Sequence, residues 1–187
     1  MDRFLFLSKG DETKLKVFHS LDQPLVDLTV ETICRKSGIS KPTFYRHFAS
    51  KIDIPVWAAQ FMNRLTLDQI GRTLTWREGM EAYFALGIQE LPYLRNLTVD
   101  PISYIEVCSR RSVTRYDTIA ETLAMHGIEV DDALRSTIEG YLKVELHFSE
   151  ERLDATRSTD AAEVFSIVRP FIPERLFQAL DTPLTSR

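Results

Sequence analysis

Apolar residues recur three and four positions apart along most of this chain, and strand-like alternation is hard to find, so the pattern predicts an all-α protein. Proline and glycine are scarce within the periodic stretches and cluster at their ends. A first helix is expected from Asp11 to His19, with Phe6, Leu15 and Phe18 turned inward and the "DQPL" stretch ending it. Thr29 is placed to cap a second helix that carries Val30, Ile33 and Cys34 on one side and stops at Gly38. Ser40 caps a third, on which Phe44 and Phe48 stand four apart on one face.

A fourth, longer helix is expected to run to about Leu74. Its start has two solutions, because Pro55 lacks the donor needed one turn into a helix that begins at Lys51: Ser50 caps a kinked helix, or Asp53 caps one that begins near Ile54. Further helices are expected over Trp76 to Glu90, Pro101 to His126, Asp131 to about Leu153, Thr159 to Arg169 and Pro173 to Leu180. The stretches "ELPYLRNLTVDP", "HGIEV", "DATRSTD" and "RPFIP" separate them, and no repeat or low-complexity tract is present.

Charge changes this picture by dividing the chain. The net charge is -4, yet residues 1–51 hold nine Lys/Arg against six Asp/Glu, a surplus of +3, and the remainder carries -7. A basic head on an acidic body implies that the head alone meets a polyanion. The expected division is a basic N-terminal domain over 1–51 and a second helical domain over 52–187, the fourth helix serving as a shared strut. Cys34 and Cys108 show no metal-ligand or disulfide spacing and read as small buried hydrophobes. No run approaches the roughly 18 apolar residues of a membrane span, and Phe4–Leu7 is too short for a signal-peptide core, which predicts a cytoplasmic protein.

The second and third helices occupy only the stretch from Val30 to Ala49, with a glycine at the turn and the small Cys34 where the two must approach. That is the spacing of a helix-turn-helix. With Phe44 and Phe48 in the core, Lys41, Thr43, Tyr45, Arg46 and His47 spread over the outer surface of the third helix. Lys41 and Arg46 can neutralise phosphate or reach guanine; Thr43 and Tyr45 offer hydroxyls and apolar surface; His47 can donate to phosphate. Backbone amides at the starts of helices two, three and four add anion-binding groups.

At these residues the sequence resembles the TetR (tetracycline-repressor) family of bacterial transcription regulators. Thr29, Val30, Ile33, Cys34, Ser37, Gly38, Ile39, Ser40, Thr43, Phe44, Tyr45, His47, Phe48 and Lys51 follow that family's T-V-x-x-I-A-x-x-A-G-V-S-x-x-T-F-Y-x-H-F-x-x-K pattern over about the first quarter of the chain. The resemblance implies an all-α homodimer with an N-terminal DNA-binding domain and a divergent C-terminal ligand pocket. It places DNA contacts at Ser40, Lys41, Thr43, Tyr45, His47 and Lys51, with Thr29 or Val30 near a phosphate and Arg46 at a variable but often DNA-touching position. Cys34 stands where alanine is common, the first helix lacks the usual alanine pair and glycine, and Pro55 falls in the helix that couples pocket to DNA in the family.

Beyond the motif, the aromatic residues between Trp57 and Phe148 read as core, some of them lining a cavity. Phe61, Tyr83, Tyr104, Cys108 and Tyr141 are the candidates to face an unknown small-molecule effector, a tyrosine hydroxyl orienting an otherwise apolar ligand. Arg110, Arg111 and Arg115 read as a solvated patch or, facing a cavity, as groups for an anion. The apolar faces near the chain end suit packing on their own subunit or against a second copy; the resemblance to the TetR family favours the helix from Asp131 to Leu153 with the C-terminal segment as the homodimer interface. No catalytic motif is present, His19, His47, His126 and His147 share no ligand spacing, and Glu145 and His147 fall on different helix faces, so neither an enzyme nor a metal or cofactor is expected. The expectation is a regulator, with repression as the default, that binds double-stranded operator DNA and no membrane; a DNA-binding or protein-interaction module without an effector is the alternative.

Overall fold

The computed structural model describes residues 8–151 and 161–184. Among the described residues there are nine α-helices and no strand. They are α1 Lys9–His19, α2 Val30–Ser37, α3 Lys41–His47, α4 Asp53–Leu65, α5 Trp76–Leu94, α6 Pro101–Met125, α7 Asp132–Glu151, α8 Ala161–Val168 and α9 Glu174–Leu180, with single 3-10 turns at Leu25–Asp27, Leu67–Gln69 and Arg169–Phe171. The all-α expectation holds. Phe6 and the "DATRSTD" break lie outside the described residues.

The early helices form where local chemistry dictates. Ser8 caps α1 by accepting from the Asp11 amide at 3.1 Å, and Val17 and Phe18 are its buried apolar side chains, while Leu15 is only half-buried. Thr29 and Ser40 each accept from the amide three residues on, at 3.2 and 3.1 Å, and so start α2 and α3 as expected. Gly38 ends α2 at φ +68, a left-handed conformation that glycine adopts without the steric cost of a Cβ.

α4 begins at Asp53, next to the later of the two expected starts, and Ser50 takes part as well: its hydroxyl accepts from the Ile52 amide at 3.2 Å. The Asp53 carboxylate reaches back to the amides of Ala49 and Ser50 at 2.6 and 3.1 Å, and Pro55 falls in the first turn, where an amide proton has no helical partner in any case. The far end corrects the sequence reading: α4 stops at Leu65 rather than near Leu74. Thr66 leaves helical geometry at φ -138, ψ -87 while its hydroxyl bonds back to the Met62 carbonyl at 2.6 Å. Gly71 then turns the chain at φ +80, with its amide on the Leu74 carbonyl. Apolar residues that look like a continuing helical stripe here belong to a 3-10 turn and a tight loop.

The chain divides into two compact units, one of residues up to Ala59 with Glu90–Ser109, the other of Gln60–Gln89 with the residues from Arg110 onward. In the first, an aromatic chain runs from Phe44 through Phe48 and Trp57 to Phe18 and Tyr93, with ring centroids 5.3, 6.3, 6.5 and 5.7 Å apart in succession. His19 joins it from α1, its Nε2 2.9 Å from the Glu90 carboxylate. In the second unit, Trp76, Met80, Ile119, Leu123, Ile138, Tyr141, Val164, Val168, Leu176 and Leu180 make the buried core. No helix among the described residues is long and apolar enough to cross a membrane.

Candidate nucleic-acid interface

The third helix sorts its residues by face. Phe44 and Phe48 are buried against the rest of the first unit, and Tyr45, between them in sequence, is 55% exposed with its ring edge-on to Phe44 at 5.5 Å. Lys41 and Arg46 are exposed, and Thr43 and His47 are half-buried. A seven-residue helix thus holds itself by one aromatic face and leaves hydroxyl, phenol, guanidinium and ammonium groups on the other.

Capping and charge tie this surface to α2. The Ser40 and Thr43 hydroxyls lie 2.9 Å apart, and those of Thr29 and Thr32 3.1 Å apart, so each cap is a small hydroxyl pair at a helix start. Lys41 Nζ reaches Glu31 at 3.1 Å, joining the first turn of α3 to the first turn of α2. Both partners are exposed, and a surface pair of this kind is worth little, so a phosphate can compete for the ammonium. Val30, beside the Thr29 cap, is half-buried.

His47 sits among positive neighbours. Partial burial, with the charges of Arg46 and Lys14, holds its pKa below the ordinary histidine value. Lys14 itself lies over the rings of Phe48 and Trp57, 5.7 and 6.0 Å from their centroids. This end of α3 is an electropositive patch in a chain that is acidic overall.

Lys51 is placed differently from the other residues the motif singles out. Its ammonium donates to three backbone carbonyls, those of Leu25, Val26 and Leu28, at 3.0, 3.0 and 2.8 Å. The sequence pattern contains no sign of this, because the acceptors are backbone atoms more than twenty residues upstream.

The candidates for an effector-facing role fall into both units. Phe61, Tyr83 and Tyr141 belong to the second, all buried; Tyr104, 43% exposed, and the half-buried Cys108 belong to the first. The Tyr83 hydroxyl donates to Ser149 at 3.1 Å. Tyr141 packs edge-on against Trp76, 5.6 Å between centroids, and its hydroxyl, near Glu145, makes no hydrogen bond of ordinary geometry. Burial, reinforced by the Glu145 charge, pushes the Tyr141 phenol well up.

One expectation in this region needs correction. Arg115 is no member of a solvated patch: it is 4% exposed and binds Glu145 through Nε at 3.2 Å and Asp68 through Nη1 at 3.1 Å. Glu145, read from sequence only beside His147, is buried as its partner. A signal was present for Glu145, which shares a helix face with the buried Ile138, Tyr141 and Leu142, since a charge on a buried apolar stripe needs a counter-charge; Arg115 is flanked by Arg111, Ser112 and Thr118 and carried no such sign. Among the described residues no cluster of His, Cys, Asp or Glu is arranged to hold a metal ion.

Residues 22–54 match the family model described as bacterial regulatory proteins, tetR family. No curated protein and no solved structure matches the chain.

Proposed function

From the premise that the match over residues 22–54 marks a TetR-family, DNA-binding regulator, we propose that this chain is a bacterial, cytoplasmic transcriptional repressor that binds a near-palindromic operator as a homodimer and yields to a small-molecule effector. The observation that carries the reading is the division of α3: Phe44 and Phe48 buried, Tyr45, Lys41 and Arg46 outward. In it, residues 1–51 bind DNA, and 52–187 receive the effector and dimerise. Ser40, Lys41, Thr43, Tyr45, Arg46 and His47 enter a major groove, and Thr29 and Val30 bring the start of α2 to the flanking phosphates. Two copies place their α3 helices roughly one helical turn apart on the duplex.

Within the second unit, Phe61, Tyr83 and Tyr141 are the proposed effector-facing side chains, and Tyr104 and Cys108, in the first unit, are not grouped with them. The buried, unpartnered Tyr141 hydroxyl supports a ligand with a polar group at that point. An effector that binds more tightly to a DNA-incompetent state lowers operator affinity by population shift. The dimer reading draws on Ile167 and Phe171, exposed apolar side chains at the end of α8 and in the 3-10 turn after it.

The test is a salt titration of the purified protein on its own upstream DNA, beside a Lys41→Ala, Tyr45→Ala double variant. Selective binding that weakens with salt and disappears in the variant upholds the reading. Binding no better than to random DNA, with an empty genome-wide selection of bound fragments, sinks it. Sedimentation velocity reads the oligomeric state, and a thermal-shift screen of metabolites and drugs finds effectors, since a ligand of the native state raises its melting temperature.

A further inference from the structure

The segment from Leu21 to Leu28, which joins α1 to α2, buries Leu21, Leu25 and Leu28, so its backbone groups need partners inside the protein. They find them on two sides. The amides of Leu25 and Val26 donate to the carbonyls of Asn96 and Thr98 at 2.8 and 2.9 Å, and Asn96 Nδ2 donates to the Leu21 carbonyl at 2.7 Å. From the other side the Lys51 ammonium takes the carbonyls of Leu25, Val26 and Leu28.

An ammonium has three protons, and here three carbonyls receive them. Turning Lys51 to a phosphate would strip a charge-assisted partner from each carbonyl, two of them in part-buried bonds. The clamped segment ends at Leu28, and the next residue is Thr29, whose hydroxyl caps α2. Whatever holds the Leu28 carbonyl therefore holds the start of α2.

We propose that Lys51 is a positioning residue rather than a phosphate contact, and that Lys51 and Asn96 together clamp Leu21–Leu28 so that Thr29 and the first turn of α2 are held in register with α3 on the DNA. Asn96 lies outside the helix-turn-helix stretch and is hydrogen-bonded to the segment that leads into it. The inference rests on the DNA-binding reading above.

Salt dependence separates a contact from a positioning role, because each phosphate neutralised by a cation contributes about 0.9 to the slope of log affinity against log salt. Operator affinity is measured across a salt series for the full-length wild type and for Lys51→Met, Asn96→Ala, Thr29→Ala and Arg46→Ala, with helical circular dichroism as the check on folding. Lys51→Met and Asn96→Ala are each expected to weaken binding about tenfold with the slope unchanged, whereas Arg46→Ala lowers the slope by about 0.9. Asn96→Ala combined with Thr29→Ala is expected to cost less than the product of the two single losses, as coupled sites do. A Lys51→Met variant whose slope falls by about 0.9, or a folded Asn96→Ala variant with wild-type affinity, overturns the proposal while leaving the DNA-binding reading intact. If Lys51→Met does not fold, Asn96→Ala carries the test. A wild type that selects no DNA overturns both.

Discussion

Arg115 on α6 holds Glu145 on α7 with two nitrogens of its guanidinium, Nε at 3.2 Å and Nη2 at 3.4 Å, while Nη1 holds Asp68 at 3.1 Å. Burial works against the arginine's charge, and the two carboxylates more than offset it, holding its pKa above the ordinary value. One cation thus answers two anions in the interior of the second unit.

Removing that cation takes a countercharge from each of two buried or half-buried carboxylates, leaving Asp68 with only the pull of Arg72 among the cations that act on it. Arg115→Leu is expected to cost about 3–5 kcal/mol in urea denaturation, the range for breaking a buried ion pair from one side. The Arg115→Met, Glu145→Leu double variant recovers part of the loss, because it removes charge from both sides of the pair. Equal stability of Arg115→Leu and wild type would show that the network contributes nothing.

Asp68 gives the network a pH signature. Burial, chiefly, and the Glu145 charge push its pKa up, against the pull of Arg115 and Arg72. The folded protein therefore binds this proton more readily than the unfolded chain, and Asp68 adds stability as pH falls from the raised folded value toward 3.8. Asp68→Asn loses that gain, so its stability is expected to fall more steeply than that of the wild type over the same acid window, as read by thermal melts at stepped pH.

His47 has the opposite sign. Its folded pKa lies below 6.5, so acidification through that window costs stability, because the unfolded chain takes up the proton first. A phosphate beside the ring would raise the value again. Under the proposed function, operator binding then takes up a proton and tightens between pH 7.5 and about pH 6, and His47→Gln flattens the profile in fluorescence anisotropy at fixed salt.

Phe44 and Tyr45 are adjacent residues with separate tasks. Phe44→Ala empties a fully buried site and is expected to cost about 3–5 kcal/mol of stability. Tyr45→Ala changes stability by about 0.5 kcal/mol or less, the range for exposed positions, and weakens operator binding. A Tyr45→Ala variant that melts early and binds DNA normally would reverse the assignment of the two faces.

Gly38 supplies a check on the turn between α2 and α3. An alanine at φ +68 is expected to cost about 1–2 kcal/mol from the Cβ–carbonyl conflict, although open space surrounds the position. Chemical denaturation of Gly38→Ala measures it.

The helix-turn-helix was legible in the chain because what shapes it is local. Thr29 and Ser40 cap through atoms three residues away, Gly38 turns on its own φ, and Phe44 and Phe48 face the same way because a helix brings positions four apart together. The starts of α5, α6 and α7 were legible for the same reason, being set by Thr75 with Glu78, by Asp100 and by Asp131. The end of α4 was not: its apolar residues keep a helical spacing past Leu65, and the turn depends on Gly71 and on a Thr66 hydroxyl bonded to Met62. Nor could the partners of Lys51 be read from a motif, since two of its acceptors are carbonyls of buried leucines 26 and 23 residues away, and a backbone oxygen carries no residue-type signal. Arg115 and Glu145, 30 residues apart, become a pair only when α6 and α7 pack, and until then a charged residue on an apolar stripe has no visible counterpart. Short-range hydrogen bonds and side-chain periodicity are written along the chain; which distant group satisfies a buried charge or a buried carbonyl is set by packing.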